Sequence, residues 1–197
     1  TALWASGFLP TTFQGVPFRG QGNPILNLQN PPGFDRAAQR SFTDAVAVMN
    51  GLRHDAVGDP EIQTRIAAYE TAFRMQASIP ELADFSREPQ HVLDLYGPEV
   101  QQPGTYASNC LLARRLSERG VRFVQLYING QIWDHHAEIE DGLKVACART
   151  DQPVAALLAD LKQRGLLDST LLLWGGEFGR TPTAQLSSKK DVRTAGR

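Results

Sequence analysis

169-STLLLWGGEFGRTP-182 is a leucine-rich run that ends in Gly175 and Gly176 and then presents Glu177 and Arg180 on a loop punctuated by Gly179 and Pro182. The run reads as a buried strand whose end the glycines allow to turn tightly. A core strand needs neither an acid nor a base at its end, whereas a site built there needs both. A second run, 121-VRFVQLYI-128, is rich in β-branched and aromatic residues and apolar on both faces. That is the pattern of a covered strand in a parallel sheet. Between the runs lie the loop NGQIWDHH, a helix expected around 137–148, and a second helix opened by Asp151-Gln152-Pro153. The second helix carries Val154, Leu157, Leu158 and Leu161 on one stripe and ends at Gly165. Strand, crossover helices, strand is a βαβ unit, so the fold class expected is α/β with a parallel sheet.

In open α/β sheets ligands gather outside the carboxyl ends of the strands. The two densest clusters of polar chemistry, 133-WDHH-136 and 175-GGEFGRTP-182, fall at those ends. If the strands are neighbours, Asp134, His135, His136, Glu177 and Arg180 converge. A carboxylate and an imidazole on one loop suit zinc, manganese or iron, and a second carboxylate helps to close the coordination sphere. The rigid guanidinium fork of Arg180 suits a phosphate or sulfate. Simpler roles stand beside these. Asp134 can cap a helix over 137-AEIE, and Glu177 with Arg180 can form a loop ion pair.

Upstream the character changes twice. Residues 1–34 are rich in Gly, Pro, Asn and aromatics and hold no helical period, so an irregular segment is expected. Residues 35–120 read as helices. Asp35 caps the first, which runs to about Asn50, with Phe42, Ala45, Val46 and Met49 on one face and Gly51 ending it. Asp59-Pro60-Glu61 is a strong start for the next, with Ile62, Ile66, Tyr69 and Phe73 at helical spacing. A shorter helix is expected over Glu88–Tyr96, stopped by Gly97. Another is expected over about Tyr106–Arg119, burying Leu112 and Leu116 and stopped by Gly120.

Composition removes several classes of function. The 197 residues fit one domain, and 42% hydrophobic residues are enough for a core. A formal charge of −1 gives no footprint for nucleic acid or an anionic membrane, and no apolar run reaches membrane-spanning length. Cys110 and Cys147 are too few for a disulfide framework and lack zinc spacing.

Three blocks carry a family resemblance: CLLARRLSERGVRFVQLY, then WDHH, then DQPVAALLADLKQRGLLDSTLLLWGGEFGRTP. With the upstream pieces GFLPTTFQGVPF, NPILNLQNPPG and DFSREPQHVLDLYG, the chain resembles the planctomycete-type members of the sulfatase-like domain of unknown function family numbered fifteen hundred and one. That family is similar to the alkaline phosphatase and sulfatase superfamily. The resemblance implies a partial alkaline-phosphatase-like domain over 1–185, with 1–34 irregular, 35–120 helical and 121–182 the βαβ unit, and a tail at 186–197. It implies a metal-dependent hydrolase of sulfate or phosphate esters, a sulfated polysaccharide among the candidate substrates. It also implies a divalent metal (zinc, manganese or calcium) and periplasmic or exported placement through a twin-arginine signal. The family's Trp-Asp-x-His pattern falls on Trp133, Asp134 and His136, with His135 at the variable position and a possible additional ligand. Its Gly-Glu-Phe-Gly-Arg-Thr-Pro falls on Gly176 through Pro182. Asp134, His136 and Glu177 are then the implied metal ligands and Arg180 the implied anion contact. No nucleophile is assigned. Because Phe178 cannot ligate a metal where superfamily members carry an Asp-His pair, a non-catalytic binding or assembly module on a hydrolase-like scaffold is the alternative. The chain is expected to be a fragment, and an inactive one is the third reading.

Overall fold

The structure is a computed structural model, and it describes residue 9 and residues 14–25, 29–135 and 138–176. It divides into two compact units, residues 1–84 and 85–197.

The first unit is a helical hairpin. Helix α1 spans Arg36–Val57, and α2 spans Pro60–Ala83. Asp35 caps α1 by accepting from the Ala38 N–H, and Asp59 caps α2 by accepting from the Glu61 N–H. The turn between them closes at Gly58, whose φ of 74° is the left-handed conformation that ends helices. Gly51 was expected to stop α1, yet the helix runs through it, because a lone glycine weakens a helix by only about 1 kcal/mol. Arg40 joins the helices through Glu70 at 2.7 Å and also pairs with Asp44. Ile62 and Phe73 are buried as the α2 stripe predicts, while Tyr69 is half exposed.

The second unit packs three helices: α3 (Gln90–Tyr96), α4 (Tyr106–Glu118) and α5 (Ile139–Gln163). A 3-10 turn, Leu167–Ser169, follows. Each helix meets the other two. Their shared core holds Val92, Leu93, Tyr96, Leu111, Leu157 and Leu161. On α4 the buried stripe is Ala107, Cys110, Leu111 and Arg114, rotated one position from the expected Leu112 and Leu116. The two helices expected over 137–148 and from Pro153 are one helix. Pro153 removes one hydrogen bond, but the buried stripe on α5 runs from Ala146 through Thr150 and Val154 to Leu161, and continuous packing outweighs one missing bond. Gln152, expected to help open a helix, instead donates to the carbonyls of Asp94 and Leu95 at the end of α3. It lies against Gly97, where φ is 97° and a Cβ would sit 2.8 Å from the Gln152 amide oxygen, so only glycine fits there.

The parallel-sheet, alkaline-phosphatase-like α/β fold is corrected: among the described residues there are five α-helices, no strand and no sheet. Runs 121–128 and 170–176 are neither helix nor strand, and exposure alternates along 123–128 and 170–173 as it does in extended chain. Val124, Leu126 and Ile128 are half-buried, while Phe123 and Tyr127 are exposed. Leu172 packs on the core between Leu171 and Leu173, which are 90% and 87% exposed. The runs were read as covered on both sides; each packs one side against the helices. Their β-branched and apolar residues suit a pleated, half-buried surface, but a ladder needs a partner backbone that composition cannot supply.

Candidate functional site

The loop between the first extended run and α5 is built by a tight turn. The Asp134 N–H donates to the Gln131 carbonyl at 3.1 Å, which lifts Ile132 and Trp133 to the tip. Trp133 meets Trp174 edge to face, with ring centroids 6.3 Å apart and planes at 66°. This contact ties the end of one extended run to the loop after the other. Asp134 and Gly175 are thus each one residue from a shared aromatic edge. Trp174 is 55% exposed, so the edge is open to solvent.

Asp134 is exposed and does not cap α5. The cap position belongs to Glu138, whose side chain makes no capping bond and whose backbone is left-handed at φ 52°. A non-glycine residue there carries strain of order 1–2 kcal/mol. The first turn of α5 instead holds Glu140 and Asp141, well placed against the helix dipole. Lys144 pairs with Glu140 at 2.8 Å and Asp141 at 3.6 Å.

His135 sits differently from Asp134. Its ring lies on the backbone of Gly142, where an added Cβ would collide with Cε1 and Nδ1. Its Nε2 is buried and has no hydrogen-bond partner among the described residues. Of the five residues expected to converge, the structure describes Asp134 and His135. His136, Glu177 and Arg180 lie outside the described residues. Among the described residues no group of three or more His, Cys, Asp or Glu side chains gathers at metal-binding range.

The densest described polar constellation is elsewhere. Arg114, on α4 and 2% exposed, donates through Nε to Asp160 at 2.9 Å, through one terminal nitrogen to Glu118 at 2.6 Å and through the other to Glu88 at 2.7 Å. Asp160 also accepts from the Tyr96 hydroxyl at 3.1 Å and from Arg164 at 2.6 Å, and Arg115 lies 3.3 Å from Glu88. Burial opposes the charge on Arg114, but the hydrogen bonds it donates to Glu88 and Glu118 outweigh it and hold the guanidinium protonated. Burial first, and then the Asp160 charge, push the Tyr96 phenol far up. Three acids balance three arginines, with the Asp160 carboxylate accepting three bonds. Such a cluster fixes how α3, α4 and α5 meet and leaves no group poised for chemistry. Sequence reading missed it, although Arg114 with Glu118 and Asp160 with Arg164 are visible as pairs four residues apart.

The first unit holds a cavity of about 330 Å³, lined by Asn23, Pro24, Gln29, Asn30, Arg36, Gln76 and Pro80. Its Gln76 and Asn30 amides bond each other at 2.9 Å, and Arg36 stacks on Phe73. None of these lining residues carries a nucleophilic side chain.

A helical body carrying one aromatic-edged Trp-Asp-His-His loop is the class of protein that this geometry defines. The chain belongs to the family described as "Protein of unknown function (DUF1501)", whose sequence profile matches residues 1–197. No curated protein and no solved structure matches the chain. Among the described residues no helix is long and apolar enough to cross a membrane.

Proposed function

We propose that this protein is a divalent-metal-dependent hydrolase of sulfate or phosphate esters, with its site at the aromatic edge of Trp133 and Trp174. The observation that supports this reading most is the Trp133–Trp174 contact, which joins the neighbours of Asp134 and Gly175 at one aromatic edge. The unpartnered Nε2 of His135 also fits a metal, because a buried imidazole nitrogen next to a carboxylate-bearing loop lacks only a ligand.

In this reading Asp134, His136 and Glu177 hold the metal, with His135 as an additional donor. When bound, the metal polarises the ester oxygen or lowers the pKa of a coordinated water. Arg180 binds and orients the anionic group through paired N–H donors. The two indole rings give the site a low-polarity wall on one side, which strengthens those charge contacts. The Gly142 backbone orients His135 by leaving room for its ring. Placement in the periplasm or outside the cell belongs to the same reading and rests on the family resemblance alone.

The test is metal content by mass spectrometry, alongside hydrolysis of p-nitrophenyl sulfate and p-nitrophenyl phosphate. It compares the wild type with Asp134→Asn, His136→Ala and Gly142→Ala. Loss of metal and of turnover in the first two variants, with weakened metal retention in the third, supports the reading. Unchanged metal content and turnover in Asp134→Asn and His136→Ala sinks it. Binding of a sulfated polymer without turnover of either ester would replace it with the non-catalytic module.

A further inference from the structure

The cavity of the first unit has an unusual lining. Four of its side chains are carboxamides, those of Asn23, Gln29, Asn30 and Gln76, and Arg36 carries the one charge among the described lining residues. The amides stand in two pairs. Gln76 donates to Asn30 at 2.9 Å, and Gln29 donates to Asn23 at 3.5 Å, a long bond that a competing hydroxyl displaces easily. A carboxamide offers both an amino group and a carbonyl oxygen, so each pair spends one of each and keeps one of each open, whichever way the two amides are turned.

Arg36 is the second half of the pattern. Two arginines lie over the Phe73 ring, Arg36 at 4.8 Å and Arg40 at 5.1 Å from its centroid. Arg40 is taken up by Asp44 and Glu70, whereas Arg36 meets no acid among the described residues. Arg36 is also the first residue of α1, where the helix dipole disfavours a cation and the first turn carries no acid. The neighbouring carboxylate, Asp35, turns instead to the Ala38 N–H at 2.7 Å. A guanidinium held on a ring, short of an anion and set in a concave wall of neutral amides is built to receive one.

We propose that this cavity binds a single acidic sugar unit, a pyranose ring that carries a carboxylate. Arg36 takes the carboxylate through two parallel N–H bonds. The open amino groups and carbonyl oxygens of the amide pairs take the ring hydroxyls, each of which donates and accepts. Pro24 and Pro80 supply the apolar surface for the C–H face of the ring. A volume of about 330 Å³ is at the small end of ligand pockets, which suits one ring rather than a long chain. Other ligand classes fit less well. A metal ion or an amine finds no acid in the lining, and a doubly charged phosphate finds one cation. A nucleobase finds no open aromatic face, because Phe73 is buried with the two arginines over it. The walls are preformed: the Arg19 N–H donates to the Pro24 carbonyl at 2.7 Å and the Phe34 N–H to the Pro31 carbonyl at 3.0 Å, so little ordering remains to oppose binding. The proposal uses no residue of the ester-hydrolase site and stands independently of that reading.

The experiment is calorimetric titration of the whole chain with sodium glucuronate, glucose and acetate, each to about 20 mM. The side-chain amide signals of asparagine and glutamine are followed by NMR in parallel. Glucuronate is expected to bind at least tenfold more tightly than glucose or acetate, since it alone offers both the charge and the hydroxyls. The amide signals of Asn30 and Gln76 should shift as it binds. Arg36→Gln should erase the advantage over glucose. Gln29→Glu, which sets a competing carboxylate in the cavity, should weaken glucuronate at least tenfold and leave glucose little changed. Both side chains belong to exposed residues, so helix content by circular dichroism should not change. Asp134→Asn should bind glucuronate as the wild type does, which separates this site from the hydrolase. No binding of glucuronate overturns the proposal, as does equal binding of glucose or acetate. Unchanged affinity in Arg36→Gln and Gln29→Glu, or shifts that spare Asn30 and Gln76, overturns it as well.

Discussion

The two units solve the same problem in opposite ways. Both are made of helices joined by capped turns, yet the second encloses an apolar core and its strongest charge cluster together, with Phe123, Leu171 and Leu173 left exposed outside its helices, while the first turns much of its α1 apolar surface outward and keeps its ion pairs near solvent. In the second unit Leu111 is fully buried and Arg114 nearly so. In the first, Leu52 is mostly exposed, and Arg40, which bridges α1 to Glu70, has a side chain 41% exposed. Two helices can cover only one face of each other, whereas three helices enclose a core. The difference lies in the number of elements, and local propensity does not reveal it.

The sharpest way to break this contrast is to remove the centre of the buried cluster. Asp160→Ala leaves Arg114 short of an acid and strips the Tyr96 hydroxyl of its acceptor, so the second unit should lose about 3–5 kcal/mol in chemical denaturation. If the loss is under 1 kcal/mol, the cluster is incidental. A matched pair tests the apolar side of the contrast. Leu111→Ala should cost about 2–5 kcal/mol, and Leu52→Ala less than about 0.5 kcal/mol. Equal costs would mean that Leu52 is covered in solution.

A smaller effect of opposite sign is expected in the first unit. A Cβ at Gly51 meets nothing within 4 Å, and the residue is helical, so Gly51→Ala should stabilise the hairpin by about 0.5–1 kcal/mol in thermal melts. The pH dependence of the same unit is weaker still. The hydrogen bond from Arg40 lowers the pKa of both Asp44 and Glu70 below their ordinary values of 3.8 and 4.5. A carboxyl lowered in the folded state stabilises above its unfolded pKa, and this is lost as pH falls through the folded one. The hairpin should therefore loosen only below about pH 4, and the effect should fade in high salt because these groups are exposed. Helix content titrated at two ionic strengths checks both points. An acid transition that ignores salt would point to a buried acid instead.

Thiol chemistry sharpens the contrast inside the second unit. Burial pushes the Cys110 thiol up to about 12, while Cys147 is only half-buried. A thiol reagent at pH 8 should modify Cys147 and leave Cys110 intact until the unit unfolds. Because the folded pKa of Cys110 is raised above its ordinary 9.0, its contribution is fully present below pH 9 and is lost as pH rises toward 12.

Much of this was legible in the residues. Asp35, Asp59 and Pro60, Gly97 and the Tyr106 start marked helix ends correctly, because capping is a local bargain between one side chain and the nearest backbone groups. The loops after 121–128 and 170–174 were expected to converge if the two runs were neighbouring strands; no sheet forms among the described residues, and the described link is the Trp133–Trp174 contact. The convergence of the five site residues is described only as far as Asp134 and His135. What the sequence could not supply was anything that depends on a distant partner. The extended runs looked like sheet strands because their side chains suit one, but strand pairing is set by another backbone. The α1 stripe looked like a core face because its spacing is helical, but which face is covered depends on how many helices pack. Gln152 looked like part of a helix start, and only packing made it a cap for α3. By itself the sequence determined where helices begin, which stripes are apolar and where the polar chemistry clusters. The tertiary structure alone decided which stripes are buried, that α5 runs unbroken through Pro153, and that Arg114 is enclosed by acids from three separate segments, because burial is a property of neighbours and neighbours are not written in order along the chain.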